Sequence, residues 1–270
     1  MPSFPYAQTN IQLFNQLQRE GYSDAELALV RNAYELTVDL HTGRFLASGR
    51  THIAHVVGTA SILGSPHPPA DVVAAGLIHN VYGSGEFGCG SKGISRAKRK
   101  RVRQIVGEQV EEYVYRFLAL RLNPRTLSII GNDPDALDST DRHAFLIELA
   151  ERLDHHLSHD GLEKYQKHMD RSGQLMVGIA EKLGFADLAA EMQKALTDRN
   201  PGKVFVRPID PSSPNRSRVV APRSYRRRLR VACRQEVVRE FRYLRSTIGM
   251  RRRLGRLVRW FRGLCFPKQA

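Results

Sequence analysis

The sequence predicts an all-α protein in which the first 200 residues form a helical bundle. Three observations support this. Apolar residues recur at three- and four-residue spacing through nearly every segment. β-branched residues nowhere alternate with polar ones for long, so strands are not needed. Capping residues and prolines fall at the ends of the periodic runs.

Ser23-Asp24-Ala25-Glu26 supplies a cap and early acids for a helix through Leu27, Val30, Ala33, Leu36 and Leu40. A second helix begins at Arg50 or Thr51 and places Val56, Val57, Ala60 and Leu63 on one face, until Pro66, Pro68 and Pro69 break it. From Asp71 a third run is apolar nearly all round, which predicts a central position. It ends at His79-Asn80 and passes into a glycine-rich loop, residues 82–90. One long helix is expected from about Ser95 to Leu120, with Val102, Ile105, Val106, Val110, Val114 and Phe117 at helical spacing. Residues 123–138 read as loop, and helices are expected over 141–156, 161–183 and 186–198.

Charge divides the chain. Residues 201–270 hold 20 Lys/Arg against three Asp/Glu, and so carry more than the whole chain's net +15. Residues 1–200 are close to neutral and give no reason to expect a basic partner surface there. Residues 201–224, rich in Pro and Ser, are a linker. Residues 225–270 form a basic extension whose apolar residues keep helical spacing, among them Val237, Phe241, Leu257, Trp260, Phe261 and Leu264. Over 225–266 that pattern suits a helix lying on an anionic membrane surface. Nucleic acid is the competing anion, disfavoured because no helix-turn-helix, zinc finger or stacking platform accompanies the arginines. A partner helix in a larger complex is the third option.

Cys89, Cys233 and Cys265 are too few and too widely spaced for a disulfide framework or a thiolate zinc site. Met1 to Ile11 lacks a basic stretch followed by an apolar core, and no run approaches transmembrane length. The expected setting is cytoplasmic, at the inner face of the membrane if the tail binds lipid.

The chemistry-bearing residues sit on separate apolar helices. His55 lies on the second helix and His79-Asn80 ends the third, 24 positions later. A later apolar run reads Glu148-Leu149-Ala150-Glu151-Arg152-Leu153-Asp154. Imidazoles and carboxylates directed inward from different helices are how a bundle builds a metal site. His52, one turn before His55, is a candidate proton donor, or else a polar residue at the helix start. Tyr82 and the glycines after it could close over a phosphate, although an ordinary flexible connection is the better reading. Asp154, His155, His156, His159 and Asp160 resemble a metal cluster, but helical neighbours point apart and a solvated face is expected. Lys98 to Arg103 are likewise expected to be a solvated first turn.

Three stretches resemble the HD-domain superfamily of helical metal-dependent phosphohydrolases, and most closely the hydrolase domain of the RelA/SpoT stringent-response family. His41-Thr42-Gly43-Arg44-Phe45-Leu46-Ala47-Ser48-Gly49, leading to His55, is similar to the segment that ends in that family's first metal-binding histidine. Ala74-Ala75-Gly76-Leu77-Ile78-His79-Asn80-Val81 resembles its ALLHDVVED segment, and residues 147–155 its KLADRLHN segment. Residues 103–114 also follow the family's helix reading roughly "I..IFG.EV..LV". The likeness covers about residues 30–160 and implies an HD-domain-like helical bundle followed by the basic amphipathic extension.

It implies metal ligands at His55, His79, Asn80 and Glu151, with Glu151 where the family has Asp. Asn80 stands in place of the second residue of the defining His-Asp pair, and its neutral amide is a weaker ligand for a divalent cation. Gly83-Ser84 replace the acidic pair that assists water attack, and Leu46-Ala47 replace a basic pair. Hydrolysis of guanosine tetraphosphate itself is therefore not expected.

Two imidazoles and a carboxylate suit Mn²⁺, Zn²⁺ or Fe²⁺ with open positions for water. The expected activity is that of a divergent metal-dependent phosphohydrolase acting on a small phosphorylated or nucleotide-like substrate, with Asn80, His52 and Tyr82 as the residues beside the reaction. The alternative is an inactive, HD-like binding or scaffold protein, peripheral to the membrane or in a complex, which holds no metal and keeps His55 and His79 as core histidines. Iron-based oxygen chemistry on the same ligands is a third reading.

Overall fold

Asn10–Arg19 forms α1, a helix started by a reciprocal cap in which Thr9 Oγ1 accepts from the Gln12 backbone while the Gln12 side chain returns to Thr9. The same device, Ser23 with Glu26, starts α2 (Asp24–His41). In a computed structural model, residues 6–46, 49–88, 93–120, 124–158 and 163–197 are described. The predicted linker (201–224) and basic tail (225–270) lie outside them, as do His159 and Asp160.

The remaining elements are α3 (His52–Gly64), α4 (Ala70–Ile78), a single turn α5 (Val81–Ser84), α6 (Arg96–Val106), α7 (Glu108–Leu120), α8 (Pro124–Asn132), α9 (Ser139–Leu157), α10 (Glu163–Lys182) and α11 (Ala186–Thr197). Among the described residues there is no strand, only an isolated antiparallel bridge between Phe45 and Thr51. The protein is all-α. No helix among the described residues is long and apolar enough to cross a membrane.

α4 is the central helix that its all-round apolarity predicts. Every residue of Val72–Ile78 is buried, and α4 packs against α2, α3, α7 and α9. α3 lies between α4 and α9, and α10 and α11 pair with each other beside α8 and α9. The buried apolar side chains form one continuous core that includes Leu40, Val56, Leu63, Leu77, Val114, Phe145 and Leu149.

Three expectations are corrected. The single helix over 95–120 is two, because Gly107 takes φ +88°, a conformation that ends α6 and that a side chain would strain. Residues 123–138 are not simply loop: they contain α8 and a 3₁₀ turn, Pro134–Ala136. The start of the glycine-rich segment is helical (α5) before Gly85 returns the chain to extended backbone.

Candidate metal centre

His55 is in the first turn of α3, placed there by the Thr51 cap, whose Oγ1 accepts from Ala54 N–H. His79 and Asn80 occupy the junction between α4 and α5. Glu151, Asp154 and His155 lie on α9. Contacts of α3 with α4 and of both with α9 bring these three segments to one place.

Each of the two sequence-predicted imidazoles has its outer nitrogen tied down. His55 Nδ1–H donates to Asp154 Oδ2 at 2.7 Å, and His79 Nδ1–H donates to the Gly76 carbonyl at 2.7 Å. Both histidines are fully buried. With Nδ1 committed as donor, Nε2 carries the lone pair, and a backbone or carboxylate partner of this kind fixes the tautomer a metal ligand needs.

Asp154 is itself anchored by Arg50, whose Nη1 and Nη2 donate to its two carboxylate oxygens at 2.7 and 3.0 Å. Gly58, one turn along α3 from His55, makes room for this pair. A Cβ there would land on Asp154 Oδ1 and press on Arg50 Nη2.

Glu151 Oε1 faces three Nε2 atoms, at 3.5 Å from His79, 3.7 Å from His155 and 4.0 Å from His55. Ligand atoms of His55, Glu151 and His155 all lie within 4.8 Å of one another, and this buried group could hold a metal ion. Metal–ligand bonds of about 2.0–2.2 Å put neighbouring donors of a tetrahedral site roughly 3.4 Å apart. The gaps from Glu151 to the three imidazoles exceed that by tenths of an ångström, and His55, Glu151 and His155 would draw inward to hold a cation.

The electrostatics favour the forms a metal would need. Burial, then the charge of Arg44, lowers His41 to about 4, and burial with its imidazole neighbours lowers His52 to about 3. Burial likewise lowers His55, outweighing the opposing pull of Asp154. Burial works to raise Glu151, but His79, His155 and His55 outweigh it and hold that carboxyl well below the ordinary range. Glu148, one turn earlier on α9, moves the other way. Burial and the charge of Glu151 raise it, against the Arg152 guanidinium hydrogen-bonded to it.

Asn80 occupies the same gap as a donor. Its Nδ2 lies 2.7 Å from His79 Nε2 and 3.4 Å from His55 Nε2, so the amide hydrogens meet the two lone pairs that a cation would take. For Asn80 to serve as a ligand, its amide must turn to present Oδ1.

The structure therefore brings together all four expected ligands, His55, His79, Asn80 and Glu151, and adds His155. His155 and Asp154, expected on a solvated face, are both buried. His155 stacks on the His55 ring with centroids 4.4 Å apart. Neighbours on a helix do diverge, but α9 is buried over an arc wide enough to take both. Asp154 reaches Nδ1 of His55, while His155 shares a face with Glu151 one turn earlier. His156 departs from the cluster and hydrogen-bonds the Ala195 carbonyl. The i, i+4 spacing of Glu151 and His155 was the available sequence signal.

His52 is half-buried. It stacks on His41, 5.2 Å between centroids, and lies edge-on to His55 at 6.5 Å. Tyr82, expected beside the reaction, is instead an internal anchor. It is buried and its hydroxyl donates to Glu111 Oε1 at 2.8 Å. Lys98–Arg103 is corrected from a solvated turn: Lys98 is buried with Nζ on the Gly93 carbonyl, and Arg99 and Arg103 both bind Glu111.

Residues 38–121 match the family model of a domain of unknown function, DUF6817. That stretch contains His41, His52, His55, His79 and Asn80 but stops before Glu151 and His155. No curated protein matches the chain.

Proposed function

We propose that this protein is a metal-dependent hydrolase that cleaves a phosphoester bond in a small phosphorylated or nucleotide-like substrate. The observation behind this reading is the meeting of His55, His79 and His155 Nε2 with the Glu151 carboxylate, the first two with tautomers fixed by Asp154 and Gly76. The resemblance of three segments to HD-domain phosphohydrolases supports it, as those segments contribute the converging residues. Zn²⁺, Mn²⁺ and Fe²⁺ all suit three imidazoles and one carboxylate. When bound, such an ion supplies a water of lowered pKa as the nucleophile.

The chain's own residues supply the rest. His55, Glu151 and His155 would hold the ion, with His79 beside them. The Arg50–Asp154 pair holds the His55 ring in its binding orientation. Asn80, released from the two Nε2 atoms, has an amide N–H available to orient a phosphoryl oxygen. Attack by water on phosphorus breaks the phosphorus–oxygen bond to the leaving group, giving the free phosphate and the alcohol.

Metal analysis of the purified full chain, beside His79→Ala and Glu151→Gln, tests this. About one equivalent of metal is expected in the wild type and little in either variant, together with metal-dependent cleavage of a generic phosphoester. Equal, near-zero metal in all three overturns the enzyme reading.

One observation favours a second reading. The Asn80 amide satisfies both Nε2 lone pairs without any ion, as expected of a non-catalytic binding or scaffold module. That module would bind no metal, yet would co-sediment with anionic liposomes through residues 225–266. Under either reading we propose that this arginine-rich tail holds the domain at an anionic membrane surface. Loss of co-sedimentation when tail arginines are replaced tests that part.

A further inference from the structure

On α6 the residues Arg96, Arg99, Lys100 and Arg103 follow i, i+3, i+4, i+7 spacing, and so share one face. They line an open cavity of about 550 Å³ together with Gln104 and Glu108. That volume is in the range of small-molecule sites.

The four cations are held in two different ways. Arg99 is fixed by the buried Glu111 carboxylate at 2.7 and 2.8 Å, by Glu112 at 2.9 Å, and by the Tyr115 ring 4.0 Å beneath its guanidinium. Arg103 Nε donates to Glu111 at 2.7 Å, with Glu108 3.9 Å and Glu112 3.8 Å from its other nitrogens. These two arginines form a fixed wall. Arg96 and Lys100 are exposed, and among the described residues neither forms an ion pair.

Two exposed cations beside a preorganised arginine pair favour a compact, multiply charged anion over an extended polymer. The exposed carboxylate of Glu108 at the rim opposes any anion and limits the site to one that engages several cations at once.

We propose that the α6 face is a binding site for a diphosphate group, with Arg96 and Lys100 as its mobile clamp and Arg99 and Arg103 as its floor. The site is separate from the candidate metal centre and does not depend on it. A free diphosphate and a phosphate-bearing lipid headgroup share this chemistry.

The test uses full-length protein titrated with inorganic pyrophosphate by calorimetry. Vesicles of phosphatidylcholine containing phosphatidic acid form the second arm. The variants are Arg96→Gln/Lys100→Gln, and a control with Arg251, Arg252 and Arg253 replaced by Gln. Arg96 and Lys100 are exposed, so the double variant is expected to keep the wild-type melting temperature.

One pyrophosphate per chain is expected, with Kd raised at least tenfold in the double variant and unchanged in the control. No pyrophosphate binding, but vesicle binding weakened tenfold by the double variant with the tail intact, supports the same site with a lipid headgroup as the source. Pyrophosphate binding that ignores the double variant, or that falls equally in the tail control, overturns the proposal. So does the absence of pyrophosphate binding together with vesicle binding that is absent or that the double variant leaves unchanged.

Discussion

Glu111 and Glu151 are both carboxylates enclosed by helices, and both face groups that carry or accept positive charge, yet their surroundings differ in kind. Glu111 accepts from Tyr82, Arg99 and Arg103 at 2.7–2.8 Å, so its oxygens are filled by direct donors. Glu151 faces three imidazole nitrogens at 3.5–4.0 Å, too far for strong hydrogen bonds and too close for an intervening side chain. The first carboxylate closes a structural knot between α5, α6 and α7. The second stands at a gap that the Asn80 amide fills and that an ion could take once the amide turned away. A buried acid with filled hydrogen bonds holds a fold together, and one ringed by imidazole nitrogens at longer range suits a ligand.

The sharpest way to break this contrast is to remove each charge in turn. Glu111→Gln takes from Arg99 and Arg103 their one buried anion, leaving only the partly exposed Glu112 and the exposed Glu108, and should lower the unfolding free energy by about 3 kcal/mol, with no change in bound metal. Glu151→Gln should do the reverse. It removes a buried charge that raises Glu148 and makes few short bonds, so stability should move by less than about 1 kcal/mol while metal is lost. Denaturant unfolding and metal analysis on both variants check this. Equal destabilisation would mean that Glu151 too is structural.

Gly58→Ala is expected next in size. The new methyl collides with Asp154 Oδ1, so the Asp154–Arg50 pair must move away from His55. Overpacking of this sort costs about 2 kcal/mol. Loss of the carboxylate that fixes a metal-binding imidazole lowers metal affinity roughly 10–100-fold. Asp154→Asn should reproduce the affinity loss with a smaller change in stability, which separates the two effects.

Much of this arrangement was legible in the sequence. Apolar periodicity marked the helices, and the resemblance to HD-domain proteins singled out His55, His79, Asn80 and Glu151 on them; packing of α3, α4 and α9 brings these residues near one another. What escaped notice has physical reasons. Asp154 and His155 read as a solvated pair because adjacent helical residues diverge, and a sequence does not show how wide an arc of α9 is covered. The division of α6 from α7 rests on one positive φ at Gly107, inside a hydrophobic periodicity that runs through it uninterrupted. Arg99 and Arg103 read as surface charge because their partner Glu111 is hidden on the following helix.

Asn80→Asp tests the gap from the other side, with an effect of about tenfold. The present amide satisfies the Nε2 atoms of His79 and His55 with hydrogen; a carboxylate there would repel Glu151 until a cation joined them. Metal affinity should rise at least about tenfold, since adding ligand charge strengthens a divalent site. Competition against a chromophoric chelator measures it. An unchanged affinity would place the metal, if any, away from Asn80.

The smallest expected effect concerns pH and the histidines flanking the gap. Burial and Arg44 hold His41 down to about 4, while in the unfolded chain it titrates near its ordinary 6.5. As pH falls from about 6.5 towards 4 the unfolded chain takes up a proton at this position and the folded chain does not. His41 therefore lowers stability progressively across that window and has no such effect above it. His41→Gln keeps a side-chain donor able to reach Ser84 Oγ, which now receives His41 Nε2–H at 3.0 Å, but removes the titration. Melting temperature plotted against pH should be shallower for the variant between pH 6.5 and 4 and parallel to the wild type above pH 7. His52, His55 and His143, also lowered by burial, contribute to the slope that remains, together with the shifted carboxyls Glu148, Glu151 and Glu111. Superimposable curves would mean that His41 is solvated when folded, and that the imidazole cluster around Glu151 is open to water on its α2 side.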